Sequence, residues 1–326
     1  MYKYIGLDAH SSTCTLCVTD AKGTELDLVT IATNGRLLIE YIKSLGGTII
    51  ITFEECDLSI WLFELFKNHA HKVVVCNPAA NAEYKKNKTD KLDARNLAKL
   101  LRGGFLRPVF HDGSSREKFR MLVSGYEDVV QEIVRLKNRL KALRRRARLY
   151  GDKAVPEHVR FIEERLIDQL GLFLDIRLTY KDELKKHVRQ FKEAKYLMSM
   201  PAIKEIQASK IIAQVVDPAR FHDKYKFWSY CGLVKHQRIS GGRLYGSKRA
   251  YGNRTLKCVF KMASHSAVKS NGALRHYYDA QRSKGLSDSA ARNAVARKIA
   301  AIVLSLWKNG QLYDEQKVLP YLTAQV

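Results

Sequence analysis

Residues 2–31 read YKYIGLDAHSSTCTLCVTDAKGTELDLVTI and decide the fold of the N-terminal part of the chain. Short apolar runs at 2–8, 13–19 and 25–31 predict three β-strands. Residues 20–23 lie between the last two runs and end in a glycine, which is typical of a hairpin turn. The sequence therefore begins with three consecutive strands.

Helices and strands alternate after this opening. Apolar spacing and breaker residues predict a helix at 37–45, a buried strand at 48–54, a helix at 57–66, a strand at 72–76 and a helix at 89–101. The order βββαβαβα is that of an RNase H-like domain, a mixed five-stranded sheet with helices on its faces. We expect an α/β RNase H-like N-terminal domain over residues 1–110.

A long helical pattern comes next. Apolar residues recur at alternating spacings of three and four, at Phe119, Leu122, Tyr126, Val129, Ile133, Leu136, Leu140, Leu143, Ala147 and Tyr150. A second helical stretch covers 157–197. We expect a helical coiled-coil arm over 111–197, but heptad spacing does not say whether the partner helix belongs to the same chain or to another copy.

The charge of the chain is strongly positive and uneven. Lys and Arg number 57 against 33 Asp and Glu, a net charge of +24. Residues 224–278 contain no acidic residue and twelve Lys or Arg. Such a basic stretch indicates a polyanionic partner, most simply nucleic acid. We expect residues 198–326 to form a mainly α-helical C-terminal domain that carries this region.

The composition excludes secreted disulfide-rich proteins and membrane-spanning proteins. The six cysteines are scattered rather than paired in a disulfide pattern. No apolar run reaches the roughly 18 residues of a membrane span, and no secretory leader opens the sequence. We therefore expect a cytoplasmic protein, associated with the bacterial nucleoid and without a membrane partner.

Four carboxylates are candidate metal ligands. Asp8 ends the first predicted strand, Glu54 ends the fourth, and Asp90 and Asp93 lie one turn apart on a predicted helix. Converging carboxylates suit Mg²⁺, and two such ions can clamp the attacking and leaving oxygens in phosphoryl transfer. Two alternatives remain open: the aspartates could simply cap their helix, and Glu55 could replace Glu54.

One serine is a candidate nucleophile. Ser240 precedes Gly241-Gly242 and lies between Arg238 and Arg243. A serine on a turn among cations could attack a phosphate, because the cations would stabilise the charged transition state. Ser-Gly-Gly is also an ordinary turn sequence. The candidate phosphate contacts of this region, which could equally be a solvated basic face, are Lys235, Arg238, Arg243, Lys248, Arg249, Arg254 and Lys257.

Three N-terminal motifs carry a resemblance. Residues 4–8 (YIGLD), 77–79 (NPA) and 88–95 (KTDKLDAR) resemble the DEDD-motif insertion-sequence transposases, a group that includes the Piv-type DNA invertases. The resemblance covers roughly residues 2–310. It implies a RuvC-like catalytic domain, a helical linker and a C-terminal transposase domain. After Glu54 the family usually has A-T-G, whereas this chain has Glu55-Cys56-Asp57.

The C-terminal part carries a second set of matching residues. Gly232-Leu233, Ser240-Gly241, Gly246 and Gly252-Asn253 with Leu256-Lys257 resemble the pattern around the family's nucleophilic serine. The resemblance implies that Ser240 forms a 5′-phosphoserine link to DNA. It also implies a site shared between protomers of a tetramer, a dimer of dimers, and guidance by a structured bridge RNA.

A smaller match precedes this region. The family usually has P-G-I-G where this chain has Pro201-Ala202-Ile203-Lys204. In the family this turn grips a DNA phosphate through backbone N–H groups. In this chain we expect Lys204 to supply charge to the same contact.

The sequence thus predicts a site-specific DNA recombinase or transposase that uses Mg²⁺ at Asp8, Glu54, Asp90 and Asp93, and Ser240 as nucleophile. Two alternatives stay open: a RuvC-like junction nuclease in which water attacks and Ser240 is dispensable, and a non-catalytic nucleic-acid-binding protein. We also find no P-loop, as expected if a phosphoserine link conserves the bond energy and rejoining needs no ATP.

Overall fold

A computed structural model describes residues 1–78, 89–150, 155–249 and 252–317, with backbone only for Tyr150, His236 and 247–249. Contacts divide the chain into two compact units, Met1–Glu117 and Lys118–Val326. We call them the N-terminal unit and the C-terminal unit. The expected division into three domains stays a prediction.

The N-terminal unit is built around a mixed sheet of five strands in the order β3-β2-β1-β4-β5. β1 is antiparallel to β2 and parallel to β4, and β4 is parallel to β5. The predicted five-stranded sheet is confirmed. The elements are β1 (Tyr2–Ala9), β2 (Thr13–Asp20), β3 (Glu25–Ala32), α1 (Gly35–Leu45), β4 (Thr48–Glu54), α2 (Ser59–Phe66), β5 (Lys72–Cys76) and α3 (Asp90–Gly103).

Strand alternation gives this sheet two different faces. Residues such as Ile5, Leu7 and Phe53 are fully buried in a cluster with apolar residues of α1 and α2. Gly6 and Cys17 point to the other face, where Cys17 packs with Ala94 and Ala98 of α3. An ideal Cβ on Gly6 would lie 2.2 Å from the Ala94 carbonyl oxygen. The α3 backbone therefore lies directly on the β1 backbone.

The C-terminal unit is mainly helical, as predicted. Its core joins the base of the long helical hairpin to the later helices, with Val123, Leu184, Phe227, Phe260 and Ile299 all buried. The elements are α4 (Ser115–Ala147, which begins in the N-terminal unit), α5 (Glu157–Val188), α6 (Ala194–Met198), α7 (Glu205–Val215), α8 (Lys224–Tyr230), β6 (Lys235–Ser240), β7 (Arg243–Arg249), α9 (Arg254–Ala267), α10 (Ala273–Ser283) and α11 (Asp288–Asn309).

The heptad face of α4 is covered within the chain. Leu136 and Leu140 of α4 form a buried cluster with Leu166 of α5. Arg144 of α4 also pairs with Glu163 of α5, at 2.6 Å. The regular apolar spacing thus has a partner helix in the same chain, one of the two alternatives that the sequence left open. A coiled coil between copies stays a prediction.

Among the described residues, no helix combines the length and the apolar character needed to span a bilayer.

Candidate functional site

Asp8 and Glu54 lie side by side on the face of the sheet that α3 covers. Gly6 pairs with Thr52 and Leu7 with Phe53 in the parallel ladder of β1 and β4. Since side chains alternate along a strand, Asp8 shares the face of Gly6, and Glu54 shares the face of Thr52. Both acids stand at the carboxyl ends of their strands and are half-buried.

Asp90 and Asp93 occupy the first turn of α3, over the same face. The Thr89 hydroxyl accepts a hydrogen bond from the Leu92 N–H at 3.3 Å, so threonine supplies this helix cap. The close contact at Gly6 lies one turn further along α3, at Ala94. The structure therefore brings Asp90 to Asp8, with Asp93 on the same turn of α3 and Glu54 at the end of the adjacent strand.

A histidine that the sequence analysis did not single out joins them. His10 Nε2 lies 3.3 Å from Asp8 Oδ2 and 3.7 Å from Asp90 Oδ1. The ligand atoms of these three residues all lie within 4.8 Å of one another. No helical or strand spacing marks His10, because it lies just past the end of β1. The available signal was its position two residues after Asp8.

The charge balance at this site favours a cation. Burial raises the pKa of Asp8, and the nearby charges of Asp90 and Asp93 raise it further, whereas His10 lowers it. Carboxylates that disfavour one another's ionisation are stabilised by a bound cation. Carboxylate oxygens suit Mg²⁺ or Mn²⁺. The residues present therefore fit the divalent metal that a DEDD transposase domain implies.

Glu55 has a different environment from Glu54. His111 Nε2 lies 2.9 Å from Glu55 Oε2, and the other ring nitrogen of His111 contacts Glu117. The side chains of His111 and Glu117 are each only 1% exposed. Burial alone would lower the pKa of His111, but its bonds to Glu117 and Glu55 raise it to about 9. Glu55 is thus held by a structural ion pair, whereas Glu54 faces α3.

Ser240 lies at the tip of a β-hairpin. It ends β6, pairs directly with Arg243 at the start of β7, and is exposed. Gly241 and Gly242 form the two-residue connection with φ of +54° and +74°. Two consecutive positive φ angles are characteristic of the tight hairpin turn that glycine favours. The sequence analysis recognised the turn but not the strands, because polar and charged residues obscure their alternation.

The base of this hairpin explains the other residues of the family pattern. An ideal Cβ on Gly252 would lie 2.4 Å from the Gly232 backbone nitrogen, so the two chain segments touch there. The Asn253 side chain accepts a hydrogen bond from the Leu256 N–H at 2.9 Å and caps α9. Its amide also donates to Gln214 Oε1 at 2.6 Å. These contacts anchor both ends of the hairpin to the helical core.

The predicted phosphate contacts are mostly at the surface. Lys204, Lys235, Arg238, Arg243 and Arg254 are exposed, and Lys257 is half-buried. Lys248 and Arg249 belong to β7, but their side chains lie outside the described part, as do Ala79 and Lys88 of the N-terminal motifs.

The turn before α7 retains a glycine-like backbone. Ala202 has a φ of +69°, although the family usually has glycine at this position. Lys204 forms the N-cap of α7. The turn therefore keeps the left-handed backbone of the family's glycine, and Ala202 adopts it at a cost in backbone strain.

The folds of the two units are typical of one class of protein. A five-stranded mixed sheet with acids at one edge is compatible with an RNase H-like DEDD domain, and a helical unit with a basic hairpin follows it. Comparison with known families agrees. Residues 5–146 match the DEDD transposase family of IS110, and residues 194–279 match the transposase family of IS116, IS110 and IS902. The chain belongs to the DEDD-motif insertion-sequence transposases of the IS110 family.

Three individual relatives are either named as transposases or come from an insertion element. The transposase for insertion sequence element IS1328 of Yersinia enterocolitica is 22% identical over 293 residues, which cover 82% of this chain and 86% of the relative. An uncharacterized 43.6 kDa protein of insertion element IS110 from Streptomyces coelicolor is 27% identical over 121 residues, which cover 37% of this chain and 30% of that protein. The putative transposase y4qE of Sinorhizobium fredii is 22% identical over 214 residues, covering 63% of this chain and 55% of the relative.

Proposed function

We propose that this chain is a metal-dependent, site-specific DNA recombinase of an insertion sequence, in which Ser240 is the nucleophile. The observation that carries the proposal is the gathering of Asp8, Glu54, Asp90 and Asp93 over one face of the N-terminal sheet. Its second support is the exposed Ser240 at the hairpin tip, whose strand partner is Arg243.

The carboxylates and His10 would hold divalent metal, with Mg²⁺ as the expected ion and two ions per site. Bound there, the metal would supply Lewis-acid stabilisation of the charge that develops on the phosphate oxygens. Asp8 and Asp90 are oriented for this by backbone contacts, because α3 rests directly on β1 at Gly6. His111 fixes Glu55 and so holds the chain immediately after Glu54.

Ser240 would act on the scissile phosphodiester. Its oxygen forms a bond to phosphorus, its proton leaves to a base or to water, and the DNA 3′-oxygen departs and is protonated. The product is a 5′-phosphoserine. A 3′-hydroxyl of the second duplex then attacks this phosphorus, and Ser240 leaves with a proton restored. One phosphate ester replaces another in each step, so rejoining needs no external energy.

The basic surface would guide the nucleic acid. Arg243 lies opposite Ser240 in the hairpin, close enough to contact the same phosphate. Lys204, Lys235, Arg238, Lys248, Arg249, Arg254 and Lys257 would hold the backbones of the donor and target DNA and of a structured guide RNA. Phosphate contacts of this kind position the strand and leave sequence to be read by base pairing.

Self-association is the remaining part of the proposal. Five apolar side chains of α5 are exposed in the single chain: Phe161, Ile162, Ile167, Leu172 and Leu178. Such a surface on a helical hairpin suits a contact between copies. An assembly of two dimers would use this surface.

The test follows a covalent intermediate. Full-length protein is incubated with Mg²⁺ and a nicked DNA that carries the element's end, so that the cleaved strand cannot rejoin. We expect an SDS-resistant protein–DNA adduct whose peptide mapping gives phosphorylated Ser240. Ser240→Ala and Asp90→Asn should each abolish it, whereas the surface variants Ser283→Ala and Glu40→Gln should retain it.

Two results would contradict the proposal. If DNA is cleaved without forming an adduct, and the cleavage persists in Ser240→Ala, the junction nuclease with water as nucleophile is favoured. Binding of DNA and guide RNA without cleavage, unchanged in Asp90→Asn, would favour a non-catalytic binding protein.

A further inference from the structure

A groove in the C-terminal unit lies apart from the Ser240 turn. Its volume is about 860 Å³, and its walls come from α8, α9, α11 and the start of β6. Pockets of a few hundred to a thousand cubic ångströms are the usual size for small organic ligands. The groove therefore has room for a nucleotide, and nothing described so far accounts for it.

The charge of the groove selects an anion. Its walls contain five cationic side chains and no Asp or Glu: Lys235, Lys257, Lys261, Arg297 and Lys298. Burial and the nearby charge of Lys224 lower the pKa of the Lys298 ammonium. Lys224 and Lys298 thus repel each other at the groove, and a bound phosphate would offset that repulsion.

Aromatic rings line the same groove. The Trp228 indole N–H donates to the Arg297 carbonyl oxygen at 2.7 Å, which fixes the orientation of the ring. Tyr225 meets Trp228 edge to face, with ring centroids 5.2 Å apart, and is 62% exposed. A flat ring held by a hydrogen bond and a second exposed ring form a surface on which a base can stack.

Rings and cations are interleaved rather than separate. Lys224 Nζ lies 5.3 Å from the Tyr225 ring centroid, and Arg297 Cζ lies 6.0 Å from that of Trp228. Ser289 and Asn293 line the α11 side with hydrogen-bonding groups. Phosphate binding alone would not require the rings, and an apolar ligand would not require the cations.

We propose that this groove binds an unpaired nucleotide of single-stranded nucleic acid, with the base against Tyr225 and Trp228 and its phosphates among Lys257, Lys261 and Arg297. A base within a duplex is stacked on its neighbours and cannot enter. The inference goes beyond the proposed recombinase function, because cleavage through Ser240 requires no contact to a base.

The first experiment measures tryptophan fluorescence of the full-length protein during titration with a 12-nucleotide oligothymidylate. Stacking should quench Trp228. We expect the quenching to be lost in Trp228→Phe and retained in Trp61→Phe, which removes a tryptophan of the N-terminal unit. Inorganic phosphate alone should produce no quenching. Quenching that persists in Trp228→Phe would overturn the proposal.

The second experiment measures affinity at constant salt. We expect Tyr225→Ala to weaken the binding of oligothymidylate about tenfold or more. The same variant should weaken the binding of a duplex of equal length by less than about twofold. The matched variant Tyr2→Ala, an exposed tyrosine of the N-terminal unit, should change neither. Equal weakening of both ligands, or of neither, would contradict a base-binding groove. Because the assay requires no cleavage, its outcome is independent of the Ser240 test.

Discussion

The carboxylate edge of the N-terminal unit and the Ser240 hairpin differ in how they are supported. Asp8 and Glu54 stand on adjacent strands in the middle of a five-stranded sheet, and α3 presses on that sheet at Gly6. Ser240 lies on a two-stranded ribbon whose Ile239, Leu244 and Tyr245 are exposed. One site is positioned by a packed core, and the other by a turn and an anchored base.

This difference matches the chemistry proposed for each site. Metal ligands must be held close together against their mutual repulsion, which requires rigid backbone contacts. A nucleophilic side chain must be able to approach the phosphate of a DNA strand that other residues hold. Isolated two-stranded ribbons are only marginally stable in water, so the hairpin depends on the contacts at its base, where Gly252 touches Gly232.

The largest expected effect comes from breaking the buried ion pair of His111. His111→Gln leaves Glu117 buried without its charge partner, which should cost about 3–5 kcal/mol of the unfolding free energy of the N-terminal unit. Hydrogen exchange of the β1 and β4 amides measures this free energy. The matched variant His71→Gln, at an exposed histidine, should leave exchange unchanged.

The same pair predicts a pH dependence. The pKa of His111 is raised to about 9 in the folded chain, so its contribution to stability is complete below about pH 6.5 and is lost as pH rises through 9. The pKa of Glu117 is lowered, so its contribution is lost as pH falls through the acidic range. Wild-type exchange should therefore accelerate from pH 6.5 to 9 beyond the intrinsic rate, and His111→Gln should remove that excess. An unchanged excess in the variant would exclude His111 as its source.

A smaller effect is expected at Gly6. Gly6→Ala would place a methyl group against the α3 backbone, which should cost about 1–3 kcal/mol and move Asp90 and Asp93 away from Asp8. We expect weaker Mn²⁺ binding by calorimetry as well as lower stability. Gly35→Ala is the control, since its Cβ would meet side chains rather than backbone: Leu65 Cδ1 at 3.3 Å and Trp61 Cζ2 at 3.5 Å. Equal behaviour of the two variants would refute the idea that this contact positions the acids.

The smallest expected effect is at the hairpin turn. An ideal Cβ on Gly241 would contact nothing within 4 Å, so Gly241→Ala introduces only backbone strain at a φ of +54°. That strain costs about 1–2 kcal/mol, or about 5- to 30-fold in the population of the hairpin. Adduct formation should fall by this factor without a change in global stability. Gly241→Asn, which tolerates the same φ, should retain most activity. If alanine and asparagine behave alike, the turn does not limit the reaction.

Most of the N-terminal fold could be predicted from the sequence. The strands β4 and β5 match their predicted bounds. Each is a continuous apolar run flanked by polar or glycine residues, so the sequence marks where the strand begins and ends. The helix predicted at 57–66 begins instead at Ser59. There the Ser59 hydroxyl accepts a hydrogen bond from the Cys56 N–H at 2.7 Å, an interaction that apolar spacing does not reveal.

The candidate site was only partly accessible to sequence reasoning. The four carboxylates were identified by their positions at strand ends and on one helix turn, and the structure brings them to one face. His10 meets Asp90 from a distant segment of the chain, so no local pattern encodes that contact. The buried pair of His111 and Glu117 lies close in sequence, but it joins the loop before α4 to the first turn of α4, and apolar spacing does not mark it. The β6–β7 hairpin was missed because its strands are rich in charge rather than in alternating apolar residues.

The hairpin has a practical consequence for handling the protein. In the described part of the chain, β6 and β7 pair only with each other, so each strand has an open edge beside exposed Ile239 and Leu244. Open edges invite pairing with another copy, and like charge opposes it. High salt strips nucleic acid from basic proteins and also shortens the reach of charge repulsion to about 3 Å at 1 M. A high-salt wash during purification would thus weaken the repulsion that opposes precipitation of this protein. A short oligonucleotide should serve as a better solubilising additive than salt.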